Sequence, residues 1–225
     1  MGFDRPMSDE PVTRDEIRAM RRSYGDAGLE TLPNNPFEAF ALWLKQAHEN
    51  TVIVEANAMV LSTVSSDSQI NTRTVLLKDI SDGGFTFFTN YKSNKSLDIQ
   101  NNPNVSLNFY WPELERQVRI TGIAEQISPK DSDEYFKNRP RESQMGAWLS
   151  HQSTSIGLYY DFMDTLNKLE STFKGKDIER PLHWGGYCII PSKIEFWQGR
   201  YSRLHDRIRY VREKNNNWQL KRLNP

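Results

Sequence analysis

The sequence predicts an antiparallel β-barrel decorated by helices, a mainly β fold of the α+β class. Short segments rich in β-branched and aromatic residues recur along the chain with hairpin-type turns between them, which is typical of antiparallel barrels. Other segments carry apolar residues at helical spacing and predict helices around the barrel. With 225 residues, 37% of them hydrophobic, the chain is long enough to bury a core. We expect a disordered tail over residues 1–12 and a single domain over 13–225.

The first elements along the chain are predicted to be helices. Thr13 and Glu16 have the spacing of a capping box, which favours a helix over residues 14–24. Phe37, Phe40 and Leu44 recur at helical spacing and predict a second helix.

From residue 58 the apolar pattern changes to that of strands, and Ser81-Asp82-Gly83-Gly84 is a hairpin signal. The predicted strands cover residues 59–64, 72–80, 85–89, 105–111, 117–127, 187–190, 194–197, 207–212 and 218–220. Further helices are predicted over residues 95–100, 129–139, 143–150 and 155–173. Ser128 followed by Pro129 is a typical helix start.

The composition excludes several classes of function. Lys and Arg together number 29, as do Asp and Glu, and this balance argues against a general nucleic-acid binder. No segment is long and apolar enough to span a membrane. The single cysteine, Cys188, excludes a disulfide framework and fits a reducing compartment, so we expect a cytoplasmic protein.

No metal or nucleotide-binding motif is present. The four histidines lack metal-ligand spacing, and the chain has no HExxH, P-loop or GxGxxG motif. We therefore expect no metal, and any chemistry is expected to come from an organic cofactor.

Cationic residues stand inside β-rich or polar segments at three places. Arg73 and Lys78 flank an apolar stretch; they either reach water at the rim of the barrel or form an anion site. A regular strand would place them on opposite faces, unless a bulge intervenes. The loop before Lys95 and the set Tyr135, Arg139 and Ser143 could each hold a phosphate, although ordinary solvated surfaces have similar sequences.

The segment from residue 195 to 207 combines Trp197 and His205 with Arg200, Arg203 and Arg207. A charged loop between strands would explain the charges but less easily the aromatic residues. A planar aromatic ligand with negative oxygens would explain both, through stacking and bidentate contacts.

Together these segments resemble the pyridoxine (pyridoxamine) 5′-phosphate oxidase family. The resemblance extends from Arg21 onwards and includes Arg-Thr-Val-Leu-Leu-Lys at 73–78, Trp-Gly-Gly at 184–186, Glu-Phe-Trp-Gln-Gly at 195–199 and Arg-Leu-His-Asp-Arg at 203–207. It implies an FMN-binding split barrel that oxidises pyridoxine or pyridoxamine 5′-phosphate to pyridoxal 5′-phosphate, with O2 as acceptor and H2O2 as product. It also implies a homodimer with FMN at the subunit interface.

The resemblance assigns roles to particular residues. The FMN site would comprise Arg73, Thr74, Val75, Leu76, Leu77, Lys78, Phe88, Thr89, Lys95, Gln117, Gln152, Ser153, Trp197 and Arg207. The substrate would contact Arg21, Tyr24, Lys78, Tyr135, Arg139, Ser143, Arg203 and His205, of which Arg203 and His205 would be catalytic and assist loss of the substrate proton. Asn94 stands where many members carry Arg, which leaves the FMN phosphate one cation short.

Two other functions use parts of the same pattern. A split-barrel flavin reductase would share the barrel but lack the substrate set. A non-catalytic carrier of FMN or pyridoxal phosphate would need the phosphate contacts but no group such as His205 at the flavin. An all-β interaction module would leave the ordered matches unexplained.

Overall fold

The computed structural model describes residues 12–20, 22–29, 31–81, 83–149, 152–155, 157 and 162–225. Within them the chain forms six helices: Arg14–Ala19 (α1), Pro36–Glu49 (α2), Asn94–Asn101 (α3), Pro129–Lys137 (α4), Arg141–Leu149 (α5) and Phe162–Phe173 (α6). The nine strands are Ala58–Val64 (β1), Ile70–Leu76 (β2), Asp79–Ser81 (β3), Gly84–Asn90 (β4), Asn104–Trp111 (β5), Arg116–Gln126 (β6), Trp184–Gln198 (β7), Asp206–Arg212 (β8) and Trp218–Leu223 (β9).

The strands form one antiparallel sheet in the order β2-β1-β5-β6-β7-β4-β3, with β8 and β9 added at β7. The two end strands, β2 and β3, are joined by only two residues, Leu77 and Lys78. Because a two-residue link cannot cross an open sheet, the sheet must curl until its ends meet. The antiparallel, helix-decorated barrel predicted from the sequence is confirmed.

Strand β7 holds the two parts of the sheet together. Its first half pairs with β4 and its second half with β8, while β6 runs along its other edge. The change of partner falls at Pro191, which has no N–H to donate, beside a β-bulge opposite Thr121 and Gly122. Two strands had been predicted over residues 187–190 and 194–197; they are one strand because the bulge bends β7 without ending it.

The predicted strand over residues 72–80 is wrong in one respect, because it is interrupted. After Leu76 the backbone N–H of Leu77 donates to Asn57 O at 2.9 Å, whereas the N–H of Lys78 donates to Thr86 O at 2.8 Å. The chain therefore leaves the β1 side and joins the β4 side within two residues. Leu77 itself is buried in the core.

The first helix is shorter than predicted, since it ends at Ala19 rather than at residue 24. Its capping box is present, with the Glu16 N–H bonded to Thr13 Oγ1 at 3.3 Å. The helix buries none of its residues, so packing adds nothing beyond that cap to extend it. The predicted helix over 129–139 similarly ends at Lys137, two residues before Arg139. Of the helix predicted over 155–173, residues 156 and 158–161 fall outside the described residues, residues 155 and 157 are not helical, and α6 begins at Phe162.

The core has two parts. The larger lies inside the barrel and is rich in aromatic rings, among them Phe40, Phe85, Phe109 and Phe196. The smaller contains Phe136, Met145, Ala147, Ile178 and Trp184 and packs α4, α5 and α6 against the start of β7. Among the described residues, no helix has the length and apolar character needed to cross a membrane.

Candidate functional site

A cavity of about 1030 Å³ lies where β2, β4 and helices α3, α4 and α5 meet. It brings together most of the residues that the sequence predicted for the FMN and substrate phosphate sites: Arg73, Thr74, Val75, Leu76, Lys78, Phe88, Thr89, Lys95, Gln152, Ser153, Tyr135, Arg139 and Ser143. The interruption after Leu76 explains how Arg73 and Lys78 can line the same cavity. In an unbroken strand their odd spacing would place them on opposite faces.

Lys95 is the most deeply placed cation of the cavity. Its ammonium group donates to Thr89 Oγ1, Ser93 Oγ and Gln152 Oε1 at 3.1–3.2 Å. Within the described part of the chain no carboxylate lies in ion-pair range of it. Burial, with a contribution from the charge of Arg73, lowers the pKa of Lys95 to about 8. A buried cation that meets only neutral acceptors is suited to bind an anion.

Arg73 lies beside Lys95 and is anchored by the protein on one side. Its Nη1 donates to Thr63 Oγ1 at 2.7 Å and to the backbone oxygens of Leu61 and Asn71 at 3.3 and 3.2 Å. Burial lowers the pKa of Arg73, and the charge of Asp98 opposes this effect. Asn94, which follows the helix cap Ser93, donates its backbone N–H to Ser153 Oγ at 3.3 Å.

A further cation, Arg139, lies among aromatic rings at the same cavity. Its guanidinium carbon is 4.5 Å from the ring centroid of Trp184, and Tyr135 stacks on Phe88 with centroids 3.8 Å apart. Burial lowers the pKa of Arg139 and raises that of Tyr135. Arg139 Nη1 is buried and has no hydrogen-bond partner among the described residues. An unpaired buried donor is costly, so a ligand oxygen would stabilise this site.

Most of the remaining predicted residues form a second cluster, outside the lining of this cavity. Trp197 and His205 have ring centroids 4.7 Å apart, and Tyr24 meets both edge-on at 5.6 and 5.4 Å. Gly199 permits this packing, because a Cβ there would lie 2.7 Å from the Tyr24 ring. We call Tyr24, Trp197, Arg203, His205 and Arg207 the aromatic–arginine cluster.

His205 is held in one tautomer. Its Nδ1 accepts the backbone N–H of Arg200 at 3.1 Å, so in the neutral ring the proton is on Nε2. Burial and the charge of Arg203 lower the pKa of His205, which favours this neutral form at pH 7. Ser202 and Arg203 both have left-handed backbone conformations, with φ of 56° and 62°. Strained residues of this kind are concentrated at ligand sites.

Glu195 organises the arginines of the second cluster and had received no role from the sequence. Its buried carboxylate accepts hydrogen bonds from Arg119 at 2.5 Å, from Arg207 at 3.0 and 3.1 Å, and from Arg209 at 2.8 and 3.0 Å. Burial alone would raise the pKa of Glu195, but the bonds from the arginines outweigh it and lower the pKa. The sequence shows Glu195 only as a single acid in a predicted strand, because the strand register of the folded chain brings Arg119 and Arg209 beside it.

The register places these residues on the outer face of the barrel. Gln117, Trp197 and Arg207 stand side by side on β6, β7 and β8, next to the row formed by Arg119, Glu195 and Arg209. The residues between the two rows, Val118, Phe196 and Ile208, pack into the core.

Two residues predicted for the site, Leu77 and Arg21, remain. Leu77 contributes to the core instead of the cavity lining, and Arg21 lies outside the described residues. Trp184 and Asn138 line the cavity although the sequence had assigned them no role. Among the described residues, no group of three or more His, Cys, Asp or Glu side chains is placed to hold a metal ion.

The lining of the cavity can bind more than one phosphate group. Arg73 and Lys95 belong to β2 and α3, while Arg139 and Ser143 belong to the region of α4 and α5. Two cationic groups therefore line one cavity from different elements, as a phosphorylated flavin and a second phosphate ester would require.

Comparisons with known proteins agree with this geometry. The sequence profile described as "Pyridoxamine 5'-phosphate oxidase" matches residues 44–160, and that described as "Pyridoxine 5'-phosphate oxidase C-terminal dimerisation region" matches residues 184–225. The chain is 50% identical to pyridoxine/pyridoxamine 5'-phosphate oxidase 2 of Hydrogenovibrio crunogenus, over 92% of this chain and 97% of that protein. It is 47% identical to the corresponding oxidase of Cyanothece sp., over 93% and 98% of the two chains.

Among solved structures, PhzG from Burkholderia lata, in complex with tetrahydrophenazine-1-carboxylic acid, superimposes with a TM-score of 0.80. The sequences are 28% identical, and the match covers 86% of this chain and 94% of PhzG. This similarity supports the split-barrel fold, while the ligand shows that proteins of this shape differ in what they bind.

Proposed function

Since the chain belongs to the pyridoxamine 5′-phosphate oxidase family, an FMN-dependent class of oxidoreductases, we propose that it oxidises pyridoxine or pyridoxamine 5′-phosphate to pyridoxal 5′-phosphate. O2 is the proposed electron acceptor and H2O2 the second product. The observation that carries this proposal is that one cavity is lined by two anion-binding groups, Arg73 with Lys95 and Arg139 with Ser143.

Bound FMN supplies the two-electron chemistry at the substrate carbon C4′ and the reaction of the electrons with O2. Arg73 and Lys95 hold the cofactor phosphate. Lys95 meets only neutral acceptors, and the hydrogen bonds from Arg73 to described residues leave from Nη1 alone. The carboxylate-compensated Arg207 of the outer face is the proposed neighbour of the flavin ring, where a cation favours the charge that develops on reduction.

Arg139, Tyr135, Ser143 and Lys78 hold the substrate phosphate. The unpaired Nη1 of Arg139 gains its missing partner when the phosphate binds. This contact is remote from the reacting carbon and contributes binding energy that fixes the orientation of the substrate. It also distinguishes phosphorylated substrates from free vitamers.

His205 is assigned the role of orienting the substrate. With Nδ1 bonded to the Arg200 backbone, neutral His205 presents an N–H at Nε2. That atom can donate a hydrogen bond but has no lone pair with which to take a proton. We therefore propose that His205, together with Arg203, holds the substrate oxygen, and that His205 does not itself take the substrate proton.

A homodimer would complete the site. The cavity and the aromatic–arginine cluster belong to different surfaces of one chain, and residues 184–225 match a dimerisation region. Two copies that meet through their outer faces would place the cluster of one beside the cavity of the other, in an isologous arrangement. We propose that FMN lies at this interface, that residues 13–225 fold as one domain, and that the protein is cytoplasmic.

The test is an assay of the FMN-loaded protein with pyridoxine 5′-phosphate. We expect peroxide release in air and loss of the visible flavin absorbance without oxygen, with unphosphorylated pyridoxine as a poor substrate. Bleaching by a nicotinamide nucleotide alone would instead indicate a flavin reductase, and binding without bleaching would indicate a carrier. Equal rates with pyridoxine and its phosphate would remove the role of Arg139.

A further inference from the structure

Asp98 is a buried carboxylate behind the cavity that the proposed mechanism does not use. It lies on α3, three residues after Lys95, so the two side chains leave neighbouring positions of one helix. Its side chain is 9% exposed, and it does not line the cavity. A buried acid beside a cationic site would weaken anion binding unless it also orients the cations of that site.

The contacts of Asp98 converge on Arg73. Its Oδ2 accepts the hydroxyl of Thr63 at 2.6 Å and the amide of Asn71 at 3.1 Å, and it lies 3.8 Å from Arg73 Nη2. Thr63 Oγ1 in turn accepts a hydrogen bond from Arg73 Nη1 at 2.7 Å. The Thr63 hydroxyl therefore connects the carboxylate to the guanidinium, donating to one and accepting from the other.

This connection fixes the orientation of the guanidinium. All the hydrogen bonds from Arg73 to described residues leave from Nη1. No hydrogen bond to a described residue leaves from Nε or Nη2, so these donors can bond a ligand even though Nη2 also lies 3.8 Å from Asp98 Oδ2. A guanidinium held in one orientation loses less rotamer freedom when a phosphate binds. The Asp98 charge is partly satisfied by Thr63 and Asn71, which reduces its repulsion of that phosphate.

We propose that Asp98 is a positioning residue for cofactor phosphate recognition, acting on Arg73 directly and through Thr63. The inference rests on the proposed function, because it takes Arg73 to bind the FMN phosphate. Its distinctive consequence is that Asp98 affects binding of FMN but not of riboflavin, which has the same ring system without the phosphate.

The test measures dissociation constants of FMN and riboflavin for the cofactor-stripped full-length protein by flavin fluorescence. Asp98→Asn and Thr63→Val are each expected to raise the FMN constant about tenfold, the loss of roughly one charge-assisted contact. Thr63→Ser keeps the hydroxyl and should restore wild-type FMN binding. The riboflavin constant should stay unchanged in all three, which also reports an intact cavity. Asp67→Asn, an exposed acid bonded to Ser65, is the matched control.

A double-mutant cycle with Arg73→Ala distinguishes a failure of the phosphate assignment to Arg73 from a failure of the positioning role of Asp98. In the Arg73→Ala background, Asp98→Asn should cause no further loss of FMN affinity. If Arg73→Ala alone left the preference for FMN over riboflavin unchanged, the assignment of the phosphate to Arg73 would fail. If Arg73→Ala lost that preference but Thr63→Val and Asp98→Asn kept it, the positioning role alone would be overturned. Should Asp98→Asn not fold, the Val and Ser variants of Thr63 decide the question.

Discussion

The cavity and the aromatic–arginine cluster both contain cations, but the two regions differ in whether carboxylates balance the positive charges. In the cavity, Lys95 meets three neutral acceptors and Arg139 Nη1 meets none among the described residues. In the cluster, Arg207 shares the carboxylate of Glu195 with two other arginines. Next to it, Asp206 bonds Arg200 at 3.2 Å and also contacts Arg222.

The difference indicates which cations are suited to bind a negative ligand and which mainly stabilise the structure. Glu195 already gives Arg207 a charge partner, so this arginine gains less from a negative ligand than an unpaired cation does. An uncompensated buried cation keeps an unfavourable desolvation cost that a negative ligand removes. We therefore expect substitutions in the cavity to affect binding constants, and substitutions of the orienting residues in the cluster to affect turnover.

The largest effect is expected from removing both orienting side chains of the cluster. Arg203→Leu combined with His205→Asn should lower kcat/KM for pyridoxine 5′-phosphate by about 10²–10⁴, because two contacts to the substrate are lost. FMN content, read from the visible spectrum, should be unchanged. The control pair Arg18→Leu with His48→Asn, on exposed positions of α1 and α2, should behave as wild type. Unchanged turnover in the first pair would contradict the assignment.

An intermediate effect is expected in the cavity from Arg139→Ala. Loss of one charge-assisted contact should raise KM for the phosphorylated substrate by about 10- to 100-fold. Bound FMN should be retained, since Arg73 and Lys95 are untouched. The matched control is Arg141→Ala, because Arg141 bonds the backbone oxygens of Phe173 and Lys176 at the end of α6. A colourless Arg139→Ala protein would place this arginine in the flavin site instead.

The smallest effect concerns the pH dependence of FMN binding through Lys95. Its pKa of about 8 means that the cation is present below pH 8 and lost above it, so FMN affinity should fall by up to about tenfold between pH 7 and pH 9. The unfolded chain retains the lysine proton to higher pH, so this residue makes the stability of the cofactor-free protein rise between pH 8 and about 10.5. FMN titrations and denaturant unfolding between pH 7 and 10 measure both slopes.

Lys95→Gln provides the comparison for these slopes. It should bind FMN less tightly at pH 7 but with an affinity that varies little from pH 7.5 to 9.5. A wild-type affinity that stayed constant over the same range would show that Lys95 does not contact the phosphate.

Local patterns were sufficient to predict most of the fold. The Ser128 hydroxyl accepts the Asp131 N–H at 3.1 Å as a helix cap, and the segment at 213–217 closes the β8–β9 hairpin through Glu213 N and Asn217 O at 2.8 Å. Such features depend on neighbours in sequence. The break at Leu77 was not predictable in this way, because it results from two distant partners, Asn57 and Thr86.

The site could be predicted as a set of residue types but not as an arrangement. The sequence indicated that Arg73 and Arg139 bind anions, and the structure places both at one cavity. Glu195 and Asp98 were missed because an acid acquires its role from the cations that surround it after folding. The tautomer of His205 depends on one backbone N–H, that of Arg200, which no side-chain pattern reveals.

The position of β7 late in the chain affects how the protein is made. On a ribosome, β1, β2, β5 and β6 can pair with one another, and β3 can pair with β4, before residue 184 has been synthesised. The two groups stay separate until β7 joins β6 to β4. Nascent chains therefore expose two unpaired strand edges until β7 has been synthesised near the end of translation. During that time chaperones would protect these edges from aggregation.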